Sequence, residues 1–241
     1  MTDLREVRTE AVEDLLKAVY TLQQETDPVP TTVLAKALDI SAPSVTDMVK
    51  RLADPKNHAP LLDHRPYYGV RLTPLGEKIA LEVIRHHRLL ELYLSQALGY
   101  SWDEVHEEAD RLEHVISEQF EDRIAAVLGY PEIDPHGDPI PPRDATGVPV
   151  INAIPLTEVP TGEPVTVVRI IDQTEPVLRY LSELGLKPGV SISVLEKSPL
   201  NDTVTTAING VAHTLSATVA HAVLTHAQPP AAHPTESASN E

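Results

Sequence analysis

A proline-dense segment divides the sequence into two parts with different predicted secondary structure. Prolines recur between positions 131 and 164, and proline is unfavourable both inside helices and in central strands. Before this segment apolar residues recur at helical spacing, whereas after it they form short β-type stretches. We therefore predict a mainly α-helical part, a Pro-rich linker over residues 146–160 and a small C-terminal β barrel over residues 161–226. The tail, residues 227–241, is rich in Pro, Ala and Ser, and we expect it to be disordered.

The helical part begins with the pattern of a helix-turn-helix. An amphipathic helix over residues 10–24 is followed by a short second helix, capped by Thr31 or Thr32. After a tight turn, a third helix is predicted from about Pro43 to Asp54, with proline at a tolerated first-turn position. The inner face of the second and third helices would consist of Val33, Leu34, Leu38, Ile40, Val45, Val49 and Leu52.

A β wing is predicted after the third helix. Residues 61–72 form two apolar stretches around a turn that contains Pro and Gly, which is typical of a hairpin. Residues 1–75 are therefore predicted to form a winged helix-turn-helix domain.

Three helices are predicted over residues 76–145. The first runs from Thr73 to about Leu98 and ends at Gly99, a favourable left-handed cap. A capping-box pattern at Ser101 and Glu104 starts a helix to about residue 117, and another follows to about residue 128. We interpret residues 76–145 as a helical domain.

Cysteine content and charge limit the chemistry of the chain. There are no cysteines, so any metal site must use nitrogen and oxygen ligands. The formal net charge is -17, which on its face argues against DNA binding. The acidic residues are concentrated in the middle, because residues 1–75 hold 9 Lys/Arg against 11 Asp/Glu and residues 76–145 hold 6 against 16. This distribution favours a DNA-reading segment followed by a cation-binding one.

One predicted helix face carries potential metal ligands. On a single helix, His106, Asp110, Glu113 and His114 would share one face. His87 and Glu91 form an i, i+4 pair on the preceding helix, and Asp14 on the first helix could converge with both sets. Imidazole and carboxylate together suit a divalent cation. Each residue alone is more often a solvated surface side chain, so the prediction depends on the whole set.

The chain resembles the diphtheria-toxin-repressor and iron-dependent-regulator family, including its manganese-responsive branch. The resemblance covers roughly residues 1–145, and residues 160–226 resemble more loosely the family's SH3-like (FeoA-like) domain. It is carried by Glu13-Asp14-Leu-Leu-Lys-Ala-Val-Tyr20, Ser41-Ala-Pro-Ser-Val-Thr46, Leu72-Thr-Pro-Leu-Gly76, His87-Arg-Leu-Leu-Glu91, Val105-His-Glu-Glu-Ala-Asp-Arg-Leu-Glu-His-Val115 and Asp134-Pro-His-Gly-Asp-Pro-Ile-Pro141.

The resemblance implies a dimer with two metal sites per subunit. The primary ligands carry over to Asp14, Asp110, Glu113 and His114, and the ancillary ligands carry over to His87, Glu91 and His106. In some members the C-terminal domain adds oxygen ligands, for which the nearest matches are Asp172, Gln173 and Glu175.

The ligand types favour Mn(II) as the effector. Iron-type members use sulfur donors where this chain has Asp14 and Asp110, and hard oxygen ligands favour Mn(II) relative to softer sites. Fe(II) is the alternative effector, and other divalent metals are expected to substitute in vitro. The manganese branch has a second acidic residue where this chain has Lys17, which favours two separate sites over a two-metal cluster.

The third helix and the wing supply the predicted DNA contacts. Lys and Arg would bind phosphates, and small polar groups would reach base edges. The residues are Ser41, Pro43, Ser44, Thr46, Asp47, Lys50 and Arg51 on the helix, with Arg65 and Arg71 in the wing. Alternatively, Ser41 is only a helix cap, and Lys50 and Arg51 belong to a solvated face.

Together these features predict a cytoplasmic, dimeric, Mn(II)-activated repressor of metal-uptake genes, which binds double-stranded operator DNA and is not an enzyme. No apolar run is long enough to span a membrane, and the N-terminus lacks a secretory signal. A metallohydrolase and a metal-storage protein are the alternatives from other classes. The predicted dimer contacts, which could instead be monomer core, are Leu89, Leu90, Leu92, Tyr93, Leu94, Leu98, Val115, Ile116 and Phe120.

Overall fold

The computed structural model describes residues 7–227, and these residues form two compact units. The N-terminal unit comprises residues up to 100 together with 105–134 and 139–149. The C-terminal unit comprises residues 101–104, 135–138 and those from 150 onward. The tail predicted to be disordered lies, from residue 228, outside the described residues.

The N-terminal unit begins with three helices: α1 (Glu10–Gln23), α2 (Thr31–Ala37) and α3 (Ala42–Ala53). The side chain of Ser41 caps α3 by accepting a hydrogen bond from the amide of Ser44. The predicted threonine cap of α2 is wrong, because Pro30 is its N-cap and Thr31 is already helical. The three helices enclose a core that includes Leu15, Leu16, Val19, Leu34, Val45, Val49 and Leu52.

The wing consists of strands β1 (Leu62–Arg65) and β2 (Gly69–Leu72), paired antiparallel. Its second strand is hydrogen-bonded to the segment before α2, since Val29 and Val70 exchange two backbone hydrogen bonds of 2.9 Å. Gly69, at φ +130°, lies against this contact, and a Cβ there would be 2.5 Å from the Val29 oxygen.

Three further helices follow: α4 (Pro74–Leu98), α5 (Val105–Leu112) and α6 (Glu118–Val127). Thr73, predicted as the first residue of α4, is its N-cap, and Gly99 ends the helix in the left-handed conformation, as predicted. The predicted continuation of α5 to residue 117 is wrong. The chain turns after Leu112, whose oxygen accepts from the amide of Val115, and Ser117 then caps α6.

The three helices have their own apolar core, and residues 139–141 are held against α4. Arg85 and Arg88 of α4 donate to the backbone oxygens of Pro141 and Pro139. The core consists of Leu89, Leu90, Leu94, Val105, Ala109, Ile124, Ala125 and Ile140.

The C-terminal unit is built on one antiparallel six-stranded sheet with the order β3-β8-β4-β5-β6-β7. Its strands are β3 (Ile154–Pro155), β4 (Pro164–Ile170), β5 (Ser191–Ser198), β6 (Thr203–Ile208), β7 (Val211–Ser216) and β8 (Val223–Ala227). Helices α7 (Glu175–Glu183) and α8 (Ala217–Ala222) complete the unit.

Two predictions for this unit need correction. Residues 219–224, which belong to the β-type stretches predicted after the linker, are mostly α8, because Ser216 caps a helix by accepting from the amide of Val219. The predicted linker, residues 146–160, is not a linker throughout. Its apolar residues Leu156 and Val159 are fully buried in the core of the C-terminal unit.

No helix within residues 7–227 combines the length and the apolar character that crossing a membrane requires.

Gly76, in the first turn of α4, provides a test of this packing. A Cβ there would lie 2.0 Å from the backbone oxygen of Leu61, so Gly76→Ala forces the helix away from the wing. We expect the free energy of unfolding to fall by about 1–3 kcal/mol, as for other overpacked sites. Denaturant unfolding followed by far-UV circular dichroism measures the change. Glu77→Ala, at the exposed neighbouring position, is the control and should shift it by less than about 0.5 kcal/mol.

Candidate metal centre

Helices α1, α4 and α5 and the turn after α5 bring carboxylates and imidazoles together in the N-terminal unit. Helix α4 presents His87 and Glu91 on one face, one turn apart. Since α5 ends at Leu112, the predicted single helix face does not exist as such. His106 and Asp110 lie on α5, whereas Glu113 and His114 lie in the following turn.

His87 lies between two groups of donors. Its Nε2 is 2.9 Å from Glu91 Oε1 and 3.1 Å from His106 Nδ1. His106 Nδ1 is itself 3.0 Å from the same Glu91 oxygen. The structure therefore brings together the three residues predicted as ancillary ligands, and their binding of a metal stays a prediction.

His114 connects the turn after α5 to α1. Its Nε2 is 3.0 Å from Asp14 Oδ1 and 3.4 Å from Glu113 Oε1. Its Nδ1 is 2.7 Å from Glu13 Oε2, and Glu13 is buried and paired with Arg8. A carboxylate behind an imidazole is the usual arrangement at histidine metal ligands, because it orients the ring and fixes its tautomer. The residues Asp14, Glu113 and His114 thus fit a cation.

Asp110 lies in a different group from the one predicted. Its Oδ1 is 3.2 Å from His87 Nδ1 and its Oδ2 is 3.7 Å from His106 Nε2. The donor atoms of His87, His106 and Asp110 lie within 4.8 Å of one another, as do those of Glu10, Asp14 and His114. Asp110 was expected to join Asp14 and His114, and in this structure it faces the ancillary histidines instead.

Lys17 fills the space between Asp110 and Glu113. Its Nζ is 3.0 Å from Asp110 Oδ1 and 2.9 Å from each carboxylate oxygen of Glu113. It also lies 3.3 Å from His87 Nδ1, which is in turn 2.5 Å from Glu113 Oε2.

The pKa values of these groups follow from burial and from their close packing. Burial alone would lower the pKa of His87, but Glu91, Asp110 and Glu113 raise it well above its ordinary value. In the same way, Glu113 and Asp110 raise the pKa of the Lys17 ammonium against the effect of burial. The pKa of Asp110 is low despite burial, because His87 and Lys17 are adjacent. Burial raises the pKa of Asp14, opposed by His114.

Sequence reasoning missed several residues at this centre. Glu10 and Glu13 were not singled out, although Glu10 is four residues before Asp14 and this spacing is a usable signal. The contact of Glu13 with His114 spans 101 positions and has no local signal. Lys17 was noted only as a departure from the family pattern.

A third acidic group, next to the centre, is neutralised by arginines. His86 Nε2 lies 3.2 Å from Glu121 Oε2 and its Nδ1 lies 3.1 Å from the backbone oxygen of Glu113. Glu82, Glu118 and Glu121 are close by, but they pair with Arg8, Arg143 and Arg85. The arrangement is that of an ion-pair network that supports the turn bearing Glu113.

The tentative ligands of the C-terminal unit have partners within that unit. Asp172 accepts hydrogen bonds from the amide and the hydroxyl of Thr174, just before α7. Gln173 donates to Asp138 at 2.5 Å. Glu175 pairs with Arg179 one turn along α7. A metal role for these three residues stays a prediction.

The predicted DNA contacts on α3 are mostly exposed. Ser41 is the helix cap, as its alternative interpretation held, and Thr46 donates to the backbone oxygen of Ala42. In the wing, Arg65 lies 3.7 Å from Asp63 and Arg71 pairs with Asp27 at 2.7 Å. The exposed members on α3 are Ser41, Pro43, Ser44, Asp47, Lys50 and Arg51.

Models of three protein domains match consecutive parts of the chain. The iron dependent repressor N-terminal DNA binding domain matches residues 8–70. The iron dependent repressor metal binding and dimerisation domain matches residues 73–142, which include most of the centre described above. The FeoA domain matches residues 154–225, so the predicted SH3-like C-terminal fold is confirmed.

Curated relatives match over nearly the whole chain. The iron-dependent repressor IdeR of Mycobacterium tuberculosis is 35% identical over 227 residues, covering 89% of this chain and 96% of the relative. IdeR of Mycobacterium leprae is 33% identical over 226 residues, with the same coverage. The chain therefore belongs to the diphtheria toxin repressor and IdeR family of metal-dependent transcriptional repressors, which is a family of DNA-binding proteins rather than of enzymes.

Solved structures with the same fold are named for metals other than iron. A manganese-dependent transcriptional repressor in complex with manganese is 37% identical, with a TM-score of 0.81, covering 90% of this chain and 100% of that chain. ScaR with bound Cd²⁺ is 30% identical, with a TM-score of 0.75, covering 90% of this chain and 99% of that chain.

The ion-pair network behind the centre gives a pH-dependent prediction. Burial alone would raise the pKa of Glu121, but His86 and Arg85 hold it below its ordinary value. A carboxylate with a lowered pKa stabilises the fold above its unfolded pKa of about 4.3, and this stabilisation is lost as pH falls below it. We therefore expect Glu121→Gln to lower the free energy of unfolding by about 2 kcal/mol at neutral pH, with a smaller deficit below about pH 4.

Denaturant unfolding across this pH range measures the deficit. Asp122→Asn is the matched control, since Asp122 also pairs with Arg143 but is half-exposed, and should cost less than about 1 kcal/mol. A Glu121→Gln deficit that stays constant with pH would contradict the prediction.

Proposed function

We propose that this protein is an Mn(II)-activated repressor that binds operator DNA as a homodimer in the cytoplasm and controls metal-uptake genes. The observation that carries the proposal is the double role of α1. Its residues Leu15 and Leu16 are fully buried in the helix-turn-helix core, and Asp14 on the same helix meets His114. A cation held by Asp14 and His114 would therefore fix the DNA-binding helices relative to the turn after α5.

The proposed activation is a population shift between two arrangements of α1. A cation favours whichever arrangement brings its ligands together, by the difference in its affinity for the two. Asp14, Glu113 and His114 belong to different segments, so bringing them together restricts the segments themselves. The ion supplies the attraction between these donors, and the protein supplies their orientation, since Glu13 directs His114 towards Asp14.

The donor set supports Mn(II) over Fe(II). Every donor of the centre is oxygen or imidazole nitrogen, and the chain contains no cysteine. The relatives leave both metals open, since IdeR is named for iron and the structural neighbour at 37% identity is named for manganese. Fe(II) is accordingly the alternative effector.

Exposed residues support DNA contact through α3 and dimerisation through the helices that follow. Lys50 and Arg51 are exposed in the last turn of α3, where they can neutralise phosphates. Four of the predicted dimer residues, Leu89, Leu90, Leu92 and Leu94, are buried within the monomer. A dimer contact is supported by the exposed apolar residues of this region, which include Leu98, Tyr100, Val115, Phe120, Val127, Tyr130 and Ile133.

Operator binding with and without metal tests the proposal. Duplexes selected by this protein from a random library in the presence of Mn(II) provide the probe for anisotropy titrations. We expect the operator Kd to be at least about tenfold lower with Mn(II) than with a chelator. His114→Ala should abolish this dependence, because it removes the residue that joins the two segments, whereas His213→Ala in the C-terminal unit should retain it.

Equal operator affinity with Mn(II) and with chelator would refute the proposal. An anaerobic titration with Fe(II) decides the effector, since we expect saturating Fe(II) to give a smaller gain in operator affinity than Mn(II). An equal or larger gain with Fe(II) would establish the alternative. The metal affinities alone do not decide this, because they follow an order common to most nitrogen and oxygen sites.

The phosphate contacts of α3 can be tested separately. Lys50→Ala combined with Arg51→Ala should weaken binding to all duplexes, selected or not, and lower the slope of log K against log salt by about 1 for each phosphate that is no longer neutralised. Arg123→Ala, an equally exposed position on α6, is the control and should leave the slope unchanged. An unchanged slope in the double variant would show that α3 does not contact the DNA backbone through these residues.

A further inference from the structure

Lys17 reaches from α1 into the centre and uses its full hydrogen-bonding capacity there. Its ammonium has three protons, and its neighbours are both oxygens of Glu113 at 2.9 Å and Asp110 Oδ1 at 3.0 Å. The Glu113 side chain is only 1% exposed, and that of Lys17 is 24% exposed. This is therefore a largely buried ion pair rather than a solvated surface contact.

The ammonium holds the oxygens that a divalent cation at this centre needs. Asp110 and Glu113 are both predicted ligands, and His87, which belongs to the other predicted site, lies 3.3 Å from the same Nζ. Two cations in contact with the same carboxylate would repel each other strongly in a partly buried site. Filling the centre thus requires that the Lys17 ammonium move away or that the incoming ion tolerate its charge.

The effects of Lys17 on the metal-free state and on the metal-bound state both lower the affinity of the centre for a metal ion. In the metal-free state Lys17 stabilises the centre, because it neutralises the buried Glu113 and the half-exposed Asp110, which would otherwise repel each other. In the metal-bound state its charge opposes that of the ion. A residue that stabilises only the metal-free state raises the metal concentration needed to fill the site.

We propose that Lys17 is a built-in competitor of the divalent cation, whose ammonium holds Asp110 and Glu113 in the metal-free protein and thereby sets the metal concentration at which the centre fills. This inference rests on the metal centre of the proposed function. It assigns to Lys17 a part in determining metal affinity, whereas the proposed function concerns the effect of metal on DNA binding.

Calorimetric titration of the metal-free full-length chain with Mn(II), without DNA, tests the competitor. Lys17→Met removes the charge and keeps the length of the side chain. We expect Mn(II) binding to tighten by about tenfold or more, the order expected when one like charge close to a cation is removed. The unfolding midpoint of the metal-free variant should fall, because Asp110 and Glu113 lose their partner, and Mn(II) should raise that midpoint by more than in the wild type.

Three further variants separate charge from structure. Lys17→Arg keeps the charge and should not tighten binding. Lys17→Gln is neutral but polar, and should tighten binding even if the Met variant folds poorly. Lys78→Met makes the same change in net charge at an exposed position of α4 and should leave the Mn(II) affinity unchanged.

The outcomes distinguish this inference from the proposed function. Unchanged or weaker Mn(II) binding in both neutral variants would overturn the proposal that Lys17 competes with the cation. The absence of Mn(II) binding in all variants would overturn it as well. Tighter binding in the neutral variants, together with operator affinity that ignores Mn(II) in the wild type, would support the competitor and refute the proposed function.

Discussion

The neutralisation of buried carboxylates is the constraint on which the N-terminal unit depends. Glu91, Glu113 and Glu121 are almost completely buried, and a buried carboxylate is costly unless a cation or several hydrogen bonds accompany it. Each lies at a contact between segments distant in sequence, so its partners hold those segments together. The imidazole of His87 and the ammonium of Lys17 accompany Glu91 and Glu113, whereas two arginines and the imidazole of His86 surround Glu121. The packing of α1, α4 and α5 is therefore inseparable from the charge balance of the centre.

The counter-charges of the proposed metal centre differ in type from those of the neighbouring group around Glu121. Around Glu121 the cations are mainly the guanidinium groups of Arg85 and Arg143, which keep their charge at any physiological pH and bind carboxylates in a fixed geometry, with the imidazole of His86 beside them. Around Glu91 and Glu113 they are an imidazole, which can release its proton, and an ammonium on a flexible stem. Neighbouring acidic groups thus differ in how firmly their counter-charges are held. Under the proposed function, the group around Glu91 and Glu113 exchanges its cations for a metal ion, whereas the group around Glu121 holds the turn in place.

Local patterns predicted those features that depend on spacing within one helix. The proximity of His87 and Glu91 follows from i, i+4 geometry, and the left-handed cap at Gly99 follows from the residue type itself. The end of α5 at Leu112 could not be predicted in this way, because apolar and acidic spacing continued beyond it. Sequence also could not show that Asp110 faces the ancillary histidines, since that depends on how α5 lies against α4. In the C-terminal unit, the density of prolines led to the prediction of a linker where the structure has the short strand β3 and the buried residues Leu156 and Val159.

The position of Lys17 shows why a departure from a family pattern requires a structure for its interpretation. From the sequence alone, a lysine in place of an acidic residue indicates only that one ligand is missing. In the structure the same side chain contacts two of the predicted ligands, so a lysine in place of an acidic residue changes the charge of the centre by two units and introduces a tethered cation. The tethered ammonium of Lys17 has a high and constant effective concentration at the centre, whereas the concentration of free metal ions varies with the state of the cell. At constant pH and for one metal, the proposed competition between them therefore varies with the metal concentration, to which a metal-dependent repressor responds.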